Sequence, residues 1–169
     1  MDKTQLRKRA KDIRSKLDMK SVSEALVIKL KQTEEYKNSK NIMIFYPLEN
    51  EVDLLSLLED KTKTFYLPKI DGENLLCCKY DSDSALCESC FHTKEPTTEP
   101  EDKSVIDLVV VPALACDKNN CRLGYGKGFY DRFLAGLKAK TIVCIPKELL
   151  LDTIYPDDFD IPVDMVITE

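Results

Sequence analysis

Four short apolar runs, each followed by a proline, constrain the fold of this chain more than any other feature. They are Ile42–Tyr46 before Pro47, Thr64–Leu67 before Pro68, Leu108–Val111 before Pro112 and Thr141–Ile145 before Pro146. Runs of this length and composition are typical of buried strands, and proline is a residue that a central strand does not continue through. Segments with helical periodicity lie between several of the runs. The alternation predicts an α/β fold with a mainly parallel central sheet and helices on both faces.

The clearest helical periodicity is in residues 3–17. One stripe of this segment is apolar and repeats at helical spacing: Leu6, Ala10, Ile13 and Leu17. A second stripe is basic and lies beside the first: Lys3, Arg7, Lys11 and Arg14. The charged heads are therefore expected at the rim of the packed interface, where they can reach into a cleft. The alternative is an ordinary solvated basic face, in which the aliphatic parts of the lysine and arginine side chains cover apolar surface.

Two further helices are predicted. The pattern Ser21-x-x-Glu24 resembles a capping box and predicts the start of a helix that continues to about Tyr36. The segment Val52–Leu58 also has helical spacing. Together with the helix in residues 3–17, these segments supply the helical layers that the predicted sheet requires.

Residues 69–104 interrupt the alternation. They contain a weak strand at Leu75–Tyr80 and then an acidic stretch rich in proline and threonine, which predicts an irregular surface insertion. The sequence shows no linker between two folded units. We therefore expect residues 1–169 to form a single domain, which at this length can bury a sufficient core without a cofactor.

Composition excludes several classes of protein. The net charge is −5, which disfavours nonspecific nucleic-acid binding, and no apolar run approaches the length of about 20 residues that a membrane span needs. The charged N-terminal segment lacks the apolar centre of a signal peptide, so we expect a cytoplasmic protein, and a monomer, without nucleic-acid or membrane partners. The chain has a single histidine, His92, which lies in the segment of residues 69–104, so a Ser-His-Asp triad is not expected and a multi-histidine metal site is excluded.

The chain has seven cysteines, an odd number. In a reducing compartment most of them are expected to be free thiols packed as small apolar groups. Cys87-x-x-Cys90 with His92 nearby leaves a zinc site as an alternative, although the adjacent pair Cys77-Cys78 is a poor partner for it.

The strongest functional signal is the segment Arg122-Leu-Gly124-Tyr-Gly126-Lys127-Gly128-Phe-Tyr130-Asp131, which precedes a predicted helix. Glycines at this spacing let backbone N–H groups approach an anion, and a helix start adds further donors. Arg122 and Lys127 add cations, and Asp131 adds an oxygen suited to a divalent metal. The spacing matches neither the P-loop nor the dinucleotide fingerprint. A tight turn without a ligand is the alternative interpretation.

These residue types predict chemistry at phosphate groups. In parallel α/β sheets ligands bind beyond the carboxyl ends of the strands, and the loops there contain Glu51, the glycine segment and several C-terminal aspartates. A site of glycines, cations and carboxylates suits phosphoryl transfer, in which positioning and charge neutralisation do most of the work.

The segment 117–131, preceded by Val-Val-Pro112, resembles the 5-formyltetrahydrofolate cyclo-ligase family. The similarity extends to Lys3-x-x-x-Arg7, to the segment around Glu51 and to Asp160-Ile-Pro-Val-Asp164, so it spans nearly the whole chain. It implies an ATP- and Mg²⁺-dependent reaction. The formyl oxygen of 5-formyltetrahydrofolate attacks the γ-phosphate, N10 then adds, and 5,10-methenyltetrahydrofolate, ADP and phosphate result.

The resemblance also implies roles for individual residues. Those expected to bind ATP are Lys3, Arg7, Arg122, Leu123, Gly124, Tyr125, Gly126, Lys127, Gly128, Phe129 and Tyr130. Those expected to bind the folate are Tyr46, Glu51, Tyr125, Gly126, Lys127, Gly128 and Phe129. The expected catalytic residues are Arg122, Lys127 and Tyr130, and the expected Mg²⁺ ligands are Asp131 and Asp160.

Four positions depart from the family pattern. Ala113 and Cys116 stand where the family usually has Gly and Phe, Leu149 stands where Gln is common, and Phe129 replaces a frequent Tyr. Two other functions remain open: another ATP-dependent ligase or kinase on the same scaffold, and a protein that binds nucleotide or folate without turnover.

Overall fold

The structure is a computed structural model that describes residues 1–89 and 92–169. Numbered along the chain, its strands are β1 (Asn41–Met43), β2 (Thr64–Asp71), β3 (Asn74–Lys79), β4 (Leu86–Glu88), β5 (Lys94–Pro96), β6 (Pro100–Glu101), β7 (Leu108–Val110), β8 (Ala115–Asp117), β9 (Arg122–Leu123), β10 (Lys140–Cys144), β11 (Leu150–Leu151) and β12 (Met165–Ile167). The α-helices are α1 (Lys3–Ser15), α2 (Met19–Gln32), α3 (Glu34–Asn38) and α4 (Phe129–Leu134). Short 3-10 turns occupy Leu55–Glu59, Asp83–Ala85, Lys103–Val105 and Lys147–Leu149.

A seven-stranded sheet forms the centre of the fold. Its strand order is β12-β10-β7-β1-β2-β3-β6. The first five of these strands are mutually parallel, and at one edge β3 pairs antiparallel with β2 and β6 pairs antiparallel with β3. A three-stranded sheet of β11, β8 and β9 and a hairpin of β4 and β5 complete the described strands. The predicted α/β class with a mainly parallel sheet is confirmed.

The central strands are apolar on both faces, because successive side chains point to opposite sides of a sheet. Ile42 and Ile44 pack with α2 and α3 in one hydrophobic cluster, which we call the rear core. Met43 and Val109 pack with α1 and α4 in the other cluster, which we call the front core. The prediction of helices on both faces is confirmed.

Leu26→Ala is expected to lower the free energy of unfolding by about 2–5 kcal/mol, because it leaves a cavity in the rear core. Leu26 lies in α2 and is 0% exposed, whereas Ile28 in the same helix is 60% exposed. The control Ile28→Ala should therefore change stability by less than about 0.5 kcal/mol. Urea denaturation measures both values. Equal effects of the two substitutions would contradict the placement of α2.

The helix boundaries differ from the prediction in several places. The first helix ends at Ser15 rather than at residue 17, and its N-cap, Asp2, forms a capping box with Gln5. The second helix begins at Met19, because the Asp18 carboxylate accepts the Ser21 N–H and takes the capping position that the sequence pattern assigned to Ser21.

This helix also ends earlier than predicted, at Gln32. Thr33 follows it with an extended backbone and caps a separate helix, α3. The helix predicted at Val52–Leu58 is a 3-10 turn at Leu55–Glu59. So short a segment is held by its packing, with Leu54 and Leu57 buried, rather than by helical propensity.

Two of the four predicted strand ends are wrong. Strand β1 ends at Met43, well before Pro47, and β2 runs through Pro68 to Asp71. The parallel pairing of β2 with β1 stops at Tyr66, so Pro68 lies where β2 pairs with β3 alone. A strand with one partner can hold a proline more easily than a central strand can.

The segment of residues 69–104 was predicted to be an irregular surface insertion, but part of it belongs to the central sheet. Strands β3 and β6 from this segment extend the central sheet, and β4 pairs with β5 beside it. The hairpin of β2 and β3 buries Cys77 and Cys78 against the sheet, so tertiary pairing overrides a weak local strand signal.

Within residues 1–89 and 92–169, no helix has both the length and the apolar character needed to cross a membrane.

Candidate active site

A cavity of about 520 Å³ lies beside the segments that follow β1 and β7. Its wall includes Phe45 and Tyr46 after β1 and Pro112 after β7. These positions lie beyond the carboxyl ends of the parallel strands, where ligands of α/β sheets bind.

Every residue predicted for the site lines this cavity. They are Lys3, Arg7, Tyr46, Glu51, Arg122, Leu123, Gly124, Tyr125, Gly126, Lys127, Gly128, Phe129, Tyr130, Asp131 and Asp160. They come from α1, the loop after β1, the segment around β9 and the C-terminal loop. The fold thus joins segments that are far apart in sequence.

Helix α1 presents two cations to the cavity. The Lys3 Nζ lies 3.0 Å from Asp157 Oδ2 and 2.5 Å from Asp160 Oδ2. Partial burial lowers the pKa of Lys3, but the hydrogen bonds and negative charges of Asp160 and Asp157 outweigh it and leave the pKa raised. The Arg7 Nε donates a hydrogen bond of 2.8 Å to the Gly124 carbonyl oxygen. Lys3 and Arg7 of the basic stripe therefore reach the cleft, whereas Lys11 does not line it and Arg14 is buried rather than at its rim, because the last turn of α1 packs into the protein.

The glycine loop, residues 124–128, folds closely around two arginines. A Cβ on Gly124 would lie 2.9 Å from Arg122 Nη1, so the absent side chain lets the guanidinium pass beneath the loop. Gly126 has a φ of +98° and lies against the Arg7 guanidinium. The helix that follows, α4, has only 6 residues, so the arginine and lysine heads contribute more to an anion site than the helix end does.

Arg122 is buried against Asp131 and Tyr130. Its Nη2 lies 3.0 Å from Asp131 Oδ1, and its Cζ lies 5.8 Å from the centre of the Tyr130 ring. The Arg122 Nε and the Tyr130 hydroxyl have no hydrogen-bond partner among the described residues. Burial raises the pKa of Tyr130 well above its usual value, so the hydroxyl stays protonated. Two buried donors are thus left for a ligand at the cavity wall.

Lys127 lies at the tip of the glycine loop and is exposed. The described residues give it neither an ion pair nor a hydrogen bond, in contrast to Lys3 and Arg122. Its ammonium group can therefore move toward an incoming anion without breaking an existing contact.

The inner end of the cavity contains a buried carboxylate, Glu51. Its Oε2 accepts a hydrogen bond of 2.6 Å from the Tyr125 hydroxyl, and its Oε1 accepts one of 2.9 Å from the Leu48 N–H. Burial raises the pKa of Glu51, although both hydrogen bonds and the charge of Arg14 oppose the rise. Glu51, Tyr125 and Tyr46 form what we call the inner pocket. A carboxylate in such a place suits recognition of N–H groups on a ligand.

The two predicted metal ligands, Asp131 and Asp160, line the same cavity, and each is paired with a cation. Among the described residues, no group of three or more His, Cys, Asp or Glu side chains is arranged to hold a metal ion. Carboxylate oxygens fit Mg²⁺, which proteins commonly bind through one or two carboxylates together with phosphates of the substrate. Two such aspartates suit an ion whose remaining ligands come from outside the protein better than an ion held in a preformed protein cage.

Sequence reasoning missed part of the cavity wall. The missed residues are Phe45, Leu48, Pro68, Ile70, Leu75, Thr93, Glu95, Pro112, Asp157 and Phe159. Several belong to the insertion, where Glu95 accepts a hydrogen bond of 2.9 Å from the Ile70 N–H. The sequence did give signals for some of them: Asp157 is one of the C-terminal acids, and Phe45 and Pro112 lie at the ends of predicted strands.

Three of the departures from the family pattern lie behind the cavity. Ala113, Cys116 and Leu149 are at most 3% exposed and belong to the front core. Phe129 lines the cavity, and the guanidinium of Arg132 lies 5.4 Å from the centre of its ring.

The zinc alternative gains no support from the described cysteines. Cys77 and Cys78 are buried in β3, Cys87 is exposed, and Cys90 lies outside the described residues. The described thiols are free, as the sequence predicts, and all but Cys87 are buried.

Comparisons with known proteins agree with the resemblance in the sequence. The model of the 5-formyltetrahydrofolate cyclo-ligase family matches residues 1–169. A 5-formyltetrahydrofolate cyclo-ligase from Mus musculus is 27% identical over 80% of this chain and 76% of its own length. One from Mycoplasma pneumoniae is 30% identical over 77% of this chain and 73% of its own.

Solved structures give the same result. The 5,10-methenyltetrahydrofolate synthetase of Aquifex aeolicus is 32% identical, with a TM-score of 0.88 over 98% of this chain and 89% of that one. The synthetase of Mycoplasma pneumoniae is 23% identical, with a TM-score of 0.81 over 99% of both chains, and this likeness concerns the fold.

Proposed function

Because this chain belongs to the 5-formyltetrahydrofolate cyclo-ligase family, we propose that it converts 5-formyltetrahydrofolate and ATP to 5,10-methenyltetrahydrofolate, ADP and phosphate. The observation that supports this most directly is the single cavity that joins the glycine loop and its cations to the inner pocket with its buried carboxylate. Such a cavity can hold a polyphosphate at one end and a polar ring system at the other.

The nucleotide is assigned to the cationic end. Lys3 and Arg7 approach it from α1, Arg122 approaches it from β9, and Lys127 approaches it from the glycine loop. Backbone N–H groups of the loop and these four cations would hold the phosphates, with Leu123 and Phe129 on the same wall. Catalysis of phosphoryl transfer rests on positioning and charge neutralisation, which these groups supply.

The folate is assigned to the inner pocket. The Glu51 carboxylate would accept hydrogen bonds from ring N–H groups, and Tyr46 and Tyr125 would contact the ring faces. The formyl group would then lie beside Gly126, Lys127 and Gly128, near the terminal phosphate. Holding the two reactants together in this way removes much of the entropic cost of their encounter.

The reaction balances with these groups. The formyl oxygen bonds to the γ-phosphorus while the bond to the bridging oxygen of ADP breaks. N10 then adds to the formyl carbon and loses its proton, and the phosphorylated oxygen leaves as phosphate. Arg122 and Lys127 neutralise the transferring group, and the protonated Tyr130 hydroxyl is a donor for one of its oxygens.

Asp131 and Asp160 would hold a Mg²⁺ that accompanies ATP, and the ion would neutralise charge on the phosphate oxygens. Each carboxylate is paired with a cation of the phosphate end, Asp131 with Arg122 and Asp160 with Lys3. We expect the protein to act as a monomer of one domain. A location in the cytoplasm accords with the free thiols of the described cysteines.

The test is an absorbance assay of purified protein with 5-formyltetrahydrofolate, Mg²⁺ and ATP. The methenyl product has an extended chromophore that the substrate lacks, so an absorption band in the near ultraviolet should grow only when ATP is present. Omission of ATP is the control, and release of ADP should match the growth of the band. Protein that binds ATP but gives no band would contradict the proposal and favour another substrate or a binding protein without turnover.

A further inference from the structure

One buried cation has no role in the function proposed above. Arg14 lies in the last turn of α1 and is 2% exposed. Its Nη2 donates a hydrogen bond to the Ala113 carbonyl oxygen, but its Nε and Nη1 have no hydrogen-bond partner among the described residues. Burial of a guanidinium is costly unless its charge is compensated, so its surroundings must explain why it is there.

The compensating groups belong to the inner pocket. Burial raises the pKa of both Glu51 and Tyr125, and the positive charge of Arg14 acts against the rise at each of them. Glu51 is itself only 7% exposed, and Tyr125 donates to it over 2.6 Å. The positive charge of Arg14 thus acts on both members of a hydrogen-bonded pair, the Glu51 carboxylate and the Tyr125 hydroxyl that donates to it.

Arg14 acts from behind the cavity wall, since Tyr125 and Glu51 line the cavity and Arg14 is not among its lining residues. It continues a set of contacts that α1 makes with the same loop. Arg7 holds the Gly124 carbonyl oxygen over 2.8 Å, and Lys11 Nζ lies 5.9 Å from the centre of the Tyr125 ring. Successive turns of one helix face thus contact the Gly124 carbonyl oxygen, the ring of Tyr125 and, through Arg14, the Ala113 carbonyl oxygen.

We propose that Arg14 is a positioning residue of the inner pocket, whose guanidinium holds the Tyr125–Glu51 pair in the orientation that receives the folate ring. The inference rests on the proposed use of Glu51 in folate binding. Without this cation the carboxylate is buried with only neutral donors, and it can relieve the cost by protonation or by turning away from Tyr125. Arg14 would act on the folate through Glu51, without touching it.

The test compares Arg14→Met and Arg14→Lys with the wild type, and Arg9→Met is the matched control because Arg9 is an exposed residue of the same helix. Arg14→Met should raise the KM for 5-formyltetrahydrofolate about tenfold, the size expected for loss of a charge-assisted contact. Arg14→Lys keeps the charge and should give an intermediate value. The KM for ATP should stay within about twofold of the wild type in every variant, because the phosphate end is untouched.

A double-mutant cycle then separates positioning from general destabilisation. If Arg14 acts through Glu51, Arg14→Met should have an effect of less than about twofold on folate binding when Glu51→Gln is already present. Additive effects, or equal increases in both KM values, would overturn the inference. Should Arg14→Met fail to fold, the same criteria apply to Arg14→Lys. An active wild type with these contrary results refutes the role of Arg14 alone, whereas an inactive wild type refutes the proposed function.

Discussion

Lys127→Ala is expected to lower kcat/KM at least a hundredfold, a loss on the order of 3 kcal/mol of transition-state stabilisation. Lys127 is exposed at the tip of the glycine loop and has no ion pair or hydrogen bond to the described residues, so its charge is available for the transferring phosphoryl group. For the same reason, the free energy of unfolding should change by less than about 0.5 kcal/mol. Steady-state kinetics and urea denaturation of the same preparation measure the two quantities.

Lys8→Ala is the matched control for this prediction. Lys8 is an exposed lysine of α1 and is not part of the cavity wall, so its removal should leave kcat/KM within about twofold. Turnover of Lys127→Ala close to that of Lys8→Ala would remove Lys127 from the catalytic machinery. A large loss of stability in Lys127→Ala would instead show that the loop depends on this side chain for its fold.

Glu51→Gln is the second substitution with a large expected effect. It preserves shape but removes the negative charge that ring N–H groups of the folate would meet, so the KM for 5-formyltetrahydrofolate should rise about tenfold to a hundredfold. The KM for ATP should change little, because the hydrogen bonds of Glu51 go to Leu48 and Tyr125, and no cation assigned to the phosphates pairs with it in the described part of the chain. Separate titrations of the two substrates measure the difference. Glu49→Gln, an exposed acid in the same loop, is the control and should behave as wild type.

The same substitution has an effect on the pH dependence of stability. Burial raises the pKa of Glu51, so the folded protein keeps this proton to a higher pH than the unfolded chain does. Between the two pKa values the folded state binds more protons, and the free energy of unfolding falls as the pH rises through that window. Glu51→Gln does not titrate and should lack this part of the decline. Urea denaturation across the window, with Glu49→Gln as reference, measures it, and parallel curves for the two variants would contradict the burial of Glu51.

Much of the site was predictable because its signals are local. The spacing of Gly124, Gly126 and Gly128 and the helical period of Lys3 and Arg7 are visible in the sequence, and the rule for ligand sites in parallel sheets predicts the place of the glycine loop. The expectation that Lys3 and Arg7 share this site came from the resemblance to the cyclo-ligase family. The structure brings these residues to one cavity. Their individual roles in binding and catalysis remain predictions for the experiments above.

What could not be predicted depends on contacts between distant segments. Strand β6 has only two residues and acquires its conformation by pairing with β3, which no periodicity can indicate. Glu95 reaches the cavity wall because β4 and β5 fold back beside β2. The helix start at Met19 was misplaced because Asp18 and Ser21 are both good capping residues, and only the backbone decides between them.

The division of the hydrophobic interior by the central sheet has a consequence for how such an enzyme can change over time. Leu123, Tyr125 and Tyr130 of the cavity wall pack in the front core, and of the wall residues only Phe45 belongs to the rear core, which α2 and α3 cover. Substitutions among Leu26, Leu30 and their neighbours can therefore adjust thermal tolerance with little disturbance of the groups that meet the substrates. Adaptation to a new temperature and adaptation to a new substrate can proceed on opposite sides of one sheet.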